Sequence, residues 1–147
     1  MGTALVTGAT SGLGLEIAWQ LAQARHDLVL VARTPERLRQ VAEEMRQFAG
    51  VQVETLQADL SERDELELVA ERLRDKSKPV GLLVNNAGYG SYGAIEDVPI
   101  NEARRQFEVN VFGLARLTQL ITPHMRTRGS GTIINVSSIG GRLTTPL

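Results

Sequence analysis

The chain has 147 residues, of which 42% are hydrophobic and 22% charged, with a formal net charge of −1; this predicts one soluble globular domain or part of one, and favours neither nucleic acid nor an anionic membrane as a partner. No run approaches the roughly 18 apolar residues of a membrane span, and the N-terminus lacks the basic and then apolar pattern of a signal peptide. The chain has no cysteine, and its two histidines have no carboxylate at ligand spacing, so we expect a cytoplasmic protein without disulfides or a metal site.

A glycine-rich segment follows the first predicted strand. The apolar residues 4–6 lead into the sequence TGATSGLG (residues 7–14), and an amphipathic pattern begins at once, an order typical of strand, tight turn and helix. Glycines let the backbone approach a diphosphate, and the start of a helix offers free N–H groups with a partial positive charge. The spacing G-x-x-x-G-x-G differs from the usual G-x-G-x-x-G, and a glycine-rich turn without a ligand is the alternative.

Predicted strands and helices alternate along the rest of the chain. Apolar or alternating runs predict strands at residues 28–32, from 51 towards 59, at 80–84 and at 132–138, and Pro123 is expected to bend the last helix. The apolar stripes that predict helices comprise, in chain order, Leu13, Ile17, Leu21 and Ala24; then Leu38, Val41, Met45 and Phe48; then Leu66, Val69 and Leu73; and finally Phe107, Val111, Leu114, Ile121 and Met125.

This alternation predicts an α/β fold with a doubly wound parallel sheet. Five strands allow the order 3-2-1-4-5, with a crevice between the carboxyl ends of strands one and four. The glycine turn follows strand one, Arg33 follows strand two, Asp59 follows strand three, and residues 85–88 follow strand four. Because these polar residues all fall at one end of the sheet, we expect a binding site there.

Several motifs resemble those of the classical short-chain dehydrogenase/reductase family, and the resemblance covers all 147 residues. TGATSGLG is similar to its cofactor turn, NNAG (residues 85–88) to its strand-four motif, and NVSS (residues 135–138) to the strand that delivers the catalytic serine. The resemblance implies an oxidoreductase with a single Rossmann domain over residues 1–147. The cofactor-binding residues that it implies are Gly8, Thr10, Ser11, Gly12, Leu13, Gly14, Arg33, Asp59, Leu60, Asn86, Ala87 and Gly88.

The choice of cofactor depends on the end of strand two. An NAD site needs a carboxylate about 20 residues beyond the glycine turn to bind the ribose 2′-hydroxyl, but this place is taken by Ala32, followed by Arg33. An arginine can bind a 2′-phosphate through charge-assisted hydrogen bonds, so we predict NADP(H) in preference to NAD(H). A plain surface arginine is the alternative.

Two further residues are candidates for catalysis. Asn110 lies on the apolar side of its predicted helix, where an unsatisfied amide would cost on the order of 1–3 kcal/mol. A backbone carbonyl at a helix bend would satisfy it, while the resemblance implies that it anchors a water in a proton relay. The resemblance also implies that Ser138 holds the substrate carbonyl oxygen; a strand-end cap or turn is the alternative.

The family's general acid and base, a Tyr-x-x-x-Lys pair, does not occur in the sequence. The only tyrosines are Tyr89 and Tyr92, the only lysines are Lys76 and Lys78, and the family places this tyrosine beyond the nine residues that follow Ser138. We therefore expect the N-terminal fragment of such an oxidoreductase, incomplete at its C-terminus and inactive alone. The alternative is a catalytically inactive nucleotide-binding module or regulator.

The substrate class that the resemblance implies is a small-molecule alcohol or ketone. The loop at residues 89–99 and residues 140–143 would border its pocket, and the sequence does not identify the substrate further. Members of the family usually form dimers or tetramers, so a homo-oligomer is a candidate state of the full-length protein that the sequence leaves open. We expect no nucleic-acid or membrane partner.

Overall fold

Strand β1 (Thr3–Thr7) lies at the centre of a five-stranded sheet in the computed structural model, which describes residues 2–143. The other strands are β2 (Asp27–Ala32), β3 (Val53–Gln57), β4 (Val80–Asn85) and β5 (Thr132–Asn135). Their order is β3-β2-β1-β4-β5 and every neighbouring pair is parallel, so the predicted fold class and strand order are confirmed.

Helices connect the strands and cover both faces of the sheet. They are α1 (Gly12–Gln23), α2 (Pro35–Ala49), α3 (Arg63–Arg74), α4 (Ile100–Phe107) and α5 (Leu114–Arg128), with a π-helical stretch (Glu108–Gly113) between the last two. Helices α1 and α2 bury their apolar faces in one core, and α3 and α5 in the other. Side chains of β1 alternate between these cores, because successive residues of a strand point to opposite faces.

The buried face of α1 differs from the predicted stripe. The fully buried residues are Gly14, Ala18 and Ala22, whereas Leu13 is 65% exposed and Ala24 lies beyond the helix. Small residues allow the helix axis to approach the sheet closely, and the larger Ile17 and Leu21 are only partly buried beside it. The predicted stripe for this helix was therefore wrong, because the buried face consists of small residues and not of the large apolar ones.

The predicted last helix is interrupted. The six-residue π-helical stretch shifts the helical phase, so that Phe107 and Val111 are 58% and 44% exposed while Ile121 and Met125 of the same predicted stripe are buried. This irregular stretch lies upstream of Pro123, which is inside α5.

The chain leaves the sheet earlier than predicted at β5. This strand ends three residues before Ser138, which begins a short 3-10 turn (Ile139–Gly141). Strand β5 is the edge of the sheet next to β4, and three of its four residues are exposed.

Candidate functional site

The segments that follow β1, β2, β3 and β4 meet at one edge of the sheet, because parallel strands place their carboxyl ends together. The outer side of this edge, between the ends of β1 and β4, is the position at which open parallel sheets bind ligands. We call the segments at this edge, with the start of α1, the carboxyl-end crevice. The expected juxtaposition of the glycine turn with the end of β4 is confirmed, since β1 and β4 are direct neighbours.

The turn after β1 has an unusual backbone. Gly8 and Gly12 have φ angles of 66° and 53°, in the left-handed region that favours glycine. The Gly8 N–H donates to the carbonyl of Val31 at 2.8 Å, so the turn is also tied to the end of β2. The chain thereby reverses from β1 into α1 within four residues.

A network of hydrogen bonds joins the ends of β1 and β4. The hydroxyl of Thr7, which is buried, accepts hydrogen bonds from the backbone N–H groups of Asn86 and Ala87, both at 3.0 Å, and donates to the carbonyl of Val84 at 3.3 Å. The Asn86 amide donates in return to the carbonyls of Thr7 and Gly8 at 3.0 and 3.3 Å. Asn86 therefore satisfies backbone groups of the neighbouring strand and of its turn.

The three glycines of the turn have different surroundings. A Cβ on Gly8 would lie 3.0 Å from the Cα of Ala87, and a Cβ on Gly14 would overlap the carbonyl oxygen of Gly8 and the amide of Asn86. A Cβ on Gly12 would meet no atom within 4 Å. Gly8 and Gly14 thus let the turn pack against the end of β4, and Gly12 leaves the outer side of the turn open.

The first turn of α1 faces this open side without a side-chain cap. Ser11 is the N-cap residue, and its side chain makes no capping hydrogen bond. The first N–H groups of a helix have no partner inside the helix, so those of α1 are available to an anion from outside it. The Arg37 Nε of α2 donates to the carbonyl of Thr10 at 3.4 Å and holds the turn from the other side.

Charged side chains line the crevice beyond β2 and β3. The carboxylate of Asp59 accepts hydrogen bonds from the Ser61 N–H at 2.9 Å and the Ser61 hydroxyl at 2.7 Å, and from Arg105 Nη2 at 2.7 Å. The Arg33 guanidinium lies 4.0 Å from the same carboxylate. Next to this cluster, Leu60 is buried.

The surroundings of Asp59 stabilise its charged form. Burial raises the pKa of this carboxyl, but the hydrogen bonds from Ser61 and the charge and hydrogen bond of Arg105 outweigh burial and leave the pKa below its ordinary value of 3.8. Asp59 is therefore ionised near neutral pH.

Asn110 connects the π-helical stretch to the loop after β4. Its Nδ2 donates to the carbonyl of Tyr89 at 2.8 Å, and its Oδ1 accepts from the N–H of the same residue at 3.1 Å. A Cβ on Gly88 would lie 3.1 Å from this Oδ1. The Asn110 amide is thus satisfied by both backbone polar groups of one residue, the N–H and the carbonyl of Tyr89, rather than by one carbonyl.

Ser138 lies at the start of the 3-10 turn after β5. Its hydroxyl oxygen accepts a hydrogen bond from the Gly140 N–H at 3.1 Å, and the side chain is exposed. This contact is the turn-capping one that its position at a strand end allowed. It leaves the hydroxyl hydrogen free to donate, because the oxygen only accepts in this contact.

The sequence of this chain matches a known protein family. Residues 2–147 match the family described as short chain dehydrogenase. The chain belongs to the short-chain dehydrogenase/reductase family. The expected resemblance is confirmed by a match over nearly the whole sequence, and the family is one of oxidoreductases.

Similar members of this family include proteins of known structure. The chain is 39% identical to a short-chain dehydrogenase from Sphingobium yanoikuyae in complex with NADPH, with a TM-score of 0.93 over 97% of this chain and 55% of that one. It is 34% identical to the bulky-bulky ketone specific alcohol dehydrogenase from Comamonas testosteroni, with a TM-score of 0.93 over 97% of this chain and 57% of that one.

A curated relative is the very-long-chain 3-oxoacyl-CoA reductase of Mycosarcoma maydis. The identity is 36%, over 98% of this chain and 42% of the relative. The chain spans about half the length of the curated relatives that it matches.

Most of the predicted site residues lie around the carboxyl-end crevice of this family member. The structure joins the glycine turn to residues 86–87, and Arg33 to Asp59, and it couples Gly88 to Asn110. Ser138 follows β5, the neighbour of β4, and no direct contact joins it to Asn110 among the hydrogen bonds of residues 2–143. Arg105 and Arg37 are additional polar residues that sequence reasoning missed, because nothing in the sequence distinguishes them from surface arginines.

Tyr89 is poorly suited to replace the family's tyrosine. Burial and the nearby charge of Glu102 raise the pKa of Tyr89, whereas a tyrosine that transfers protons near neutral pH needs a lowered one.

Within residues 2–143, no helix is both long and apolar enough to cross a membrane.

Proposed function

We propose that this chain binds NADP(H) and that the full-length protein transfers a hydride between this cofactor and an alcohol or ketone. The observation that carries the proposal is the open glycine turn at the start of α1, packed against the end of β4 at the carboxyl-end crevice. The NADPH complex of the Sphingobium relative, with a TM-score of 0.93 to this chain, supports the same cofactor.

The diphosphate of the cofactor would bind at the start of α1. Gly12 has no neighbour that a ligand would have to displace, and the uncapped N–H groups of the first helical turn suit an anion. Thr10, Ser11 and Leu13 are the other residues of this turn that we assign to the cofactor. Leu13 is 65% exposed, so it is accessible to a cofactor.

The adenosine half would bind over the ends of β2 and β3. The Arg33 side chain is 66% exposed, and the Asp59 carboxylate 4.0 Å away takes its hydrogen bonds from Ser61 and Arg105. The Arg33 guanidinium can therefore pair with a 2′-phosphate. Asp59 and Leu60 would contact the adenine, and Asn86, Ala87 and Gly88 the ribose on the nicotinamide side. These assignments favour NADP(H) over NAD(H).

NADP(H) supplies or accepts the hydride in such a reaction, and the chain supplies groups that orient the substrate and polarise its carbonyl. Ser138 has a hydroxyl hydrogen free to donate to the carbonyl oxygen of a ketone. Asn110 holds the backbone N–H and carbonyl of Tyr89, and we assign to it the anchoring of a water in the proton relay. Neither described tyrosine is followed four residues later by a lysine, so the proposal covers the chemistry of the full-length protein.

The substrate we propose is a lipophilic ketone or alcohol. Apolar side chains on the loops after β4 and β5 are strongly exposed, among them Ile95 at 89% and Ile139 at 73%. The relatives named for bulky ketones and for 3-oxoacyl-CoA support the same class. In this proposal residues 1–147 form one cofactor-binding Rossmann domain.

The test is a titration of the full-length protein with NADPH and with NADH, followed by intrinsic fluorescence. We expect tighter binding of NADPH. Arg33→Ala removes a charge-assisted contact worth about 1.5–3 kcal/mol, so NADPH affinity should fall about 10- to 100-fold while NADH affinity stays unchanged.

Arg39→Ala is the matched control, because Arg39 lies exposed on α2 and makes no ion pair among the described residues. This variant should bind both cofactors as the wild type does. Absence of saturable NADPH binding by the wild type would refute the proposed function, and an unchanged NADPH-to-NADH ratio in Arg33→Ala would refute the assignment of Arg33.

A further inference from the structure

The carboxylate of Asp59 lies between two arginines from different parts of the fold. Arg105 of α4 donates to its Oδ2 at 2.7 Å, and Arg33 at the end of β2 lies 4.0 Å from the same oxygen. Asp59 has a side chain that is only 15% exposed, against 66% for Arg33. One partly buried negative charge therefore has two cations within reach, of which Arg105 makes the hydrogen bond.

Arg105 also orients the turn that contains Asp59. Its Nε donates to the Ser61 hydroxyl at 3.1 Å, and that hydroxyl donates to Asp59 Oδ1 at 2.7 Å. The Ser61 N–H donates to the same Oδ1 at 2.9 Å. Both carboxylate oxygens are thus satisfied by groups other than Arg33, and the guanidinium of Arg105 contacts both side chains of the turn.

We propose that Arg105 is a positioning residue for cofactor selectivity: by pairing with Asp59, it keeps Arg33 available for the 2′-phosphate of NADP(H). This inference rests on the proposed function. Arg105 acts through Asp59 and Arg33 and has no assigned contact with the cofactor.

Removal of Arg105 would leave Asp59 without its hydrogen-bonded cation. A partly buried carboxylate that loses its hydrogen-bonded cation is costly, and Arg33 is the nearest replacement at 4.0 Å. Arg33 in a direct pair with Asp59 is no longer free, and a phosphate must compete with the carboxylate for it.

The experiment measures the dissociation constants of NADPH and NADH for the full-length protein and for Arg105→Ala. We expect the NADPH-to-NADH affinity ratio to fall about tenfold in Arg105→Ala, which corresponds to about 1.4 kcal/mol. NADH binding should weaken less than NADPH binding, because the two cofactors share the adenine contact of Asp59 and only NADPH has the 2′-phosphate. Arg104→Ala is the matched control, because Arg104 is the adjacent exposed arginine of α4 and has no ion pair among residues 2–143. It should alter neither constant.

A double variant separates selectivity from general loss of structure. In the Arg33→Ala background, Arg105→Ala should cause no further change in the NADPH-to-NADH affinity ratio, because the group that Arg105 keeps available is already absent. Arg105→Lys keeps a cation beside Asp59 and should retain most of the preference for NADPH. This variant replaces Arg105→Ala in the comparison if the alanine variant folds poorly.

The outcomes distinguish the inference from the proposed function. Equal weakening of both cofactors by Arg105→Ala, a further fall in the NADPH-to-NADH ratio in the Arg33→Ala background, or no effect of Arg105→Ala on the ratio would each overturn the role of Arg105 while leaving NADP(H) binding intact. A wild-type protein without preference for NADPH would overturn the proposed cofactor itself, before any variant is compared.

Discussion

The packing of the glycine turn against the end of β4 predicts that Gly14→Ala destabilises the protein. A Cβ at this position would overlap the carbonyl oxygen of Gly8 and the amide of Asn86. Neither group can move freely, because the oxygen belongs to the backbone and the amide donates two hydrogen bonds to the end of β1 and its turn. The substitution therefore has to separate the turn from β4.

The magnitude follows from three contributions. Overpacking of a tight interior contact costs about 1–3 kcal/mol, and loss of the two hydrogen bonds of Asn86 adds about 1 kcal/mol for each bond. Alanine in a helix gains about 1 kcal/mol over glycine, which offsets part of this. We expect the free energy of unfolding to fall by about 2–4 kcal/mol.

Urea denaturation of the full-length protein, followed by circular dichroism, measures this change. Gly12→Ala is the matched control: Gly12 is two residues away in the same turn, and its Cβ would meet no atom within 4 Å. Its cost is confined to the positive φ of 53°, about 1–2 kcal/mol for a residue with a Cβ. Gly14→Ala with wild-type stability, or Gly12→Ala as the more damaging of the two, would refute the reasoning.

Two further predictions concern the ends of β1 and β3. Thr7→Val leaves two backbone N–H donors at the end of β4 without their acceptor, so the free energy of unfolding in urea should fall by about 2–4 kcal/mol. Thr7→Ser keeps the hydroxyl and should lower it by about 1 kcal/mol; equal losses in the two variants would contradict this. Because the pKa of Asp59 is lowered on folding, its charge stabilises the native state above its ordinary value of 3.8 and this contribution is lost as the pH falls through the folded pKa. The stability advantage of wild type over Asp59→Asn should accordingly shrink below pH 3.8, and an advantage that grows on acidification would contradict the sign.

The strand order and the polar strand ends could be predicted because both signals are local. A buried parallel strand is a short apolar run, and β2 is such a run from Leu28 to Ala32 with Arg33 directly after it. Alternation with helices then leaves few arrangements of the sheet. The residues at the carboxyl ends are thereby assigned to one edge without knowledge of any contact.

The helical phase, which decides the side of each helix that is buried, could not be predicted in the same way. The buried face of α1 consists of glycine and alanine, and its burial depends on how closely the helix approaches the sheet, which is a tertiary property. In the segment after Phe107, the π-helical stretch shifts the phase, and a constant period of 3.6 residues cannot represent that shift.

The partners of the site residues depend on the same phase. Arg104 and Arg105 are adjacent and chemically identical, and only the orientation of α4 decides that Arg105 contacts Asp59. The need of Asn110 for a partner could be inferred from its position among apolar residues, but its choice of Tyr89 depends on the path of a loop with no regular pattern.

The π-helical stretch contacts two segments that border opposite sides of the crevice. Through Asn110 it holds the backbone N–H and carbonyl of Tyr89 after β4. At Gly113 its backbone lies against Leu60 after β3, where a Cβ would lie 3.4 Å from the Leu60 carbonyl oxygen. These six consecutive residues therefore contact both loops at once. The distance between the two loops, which a dinucleotide would have to span, is thus determined by the protein fold and not by the bound ligand.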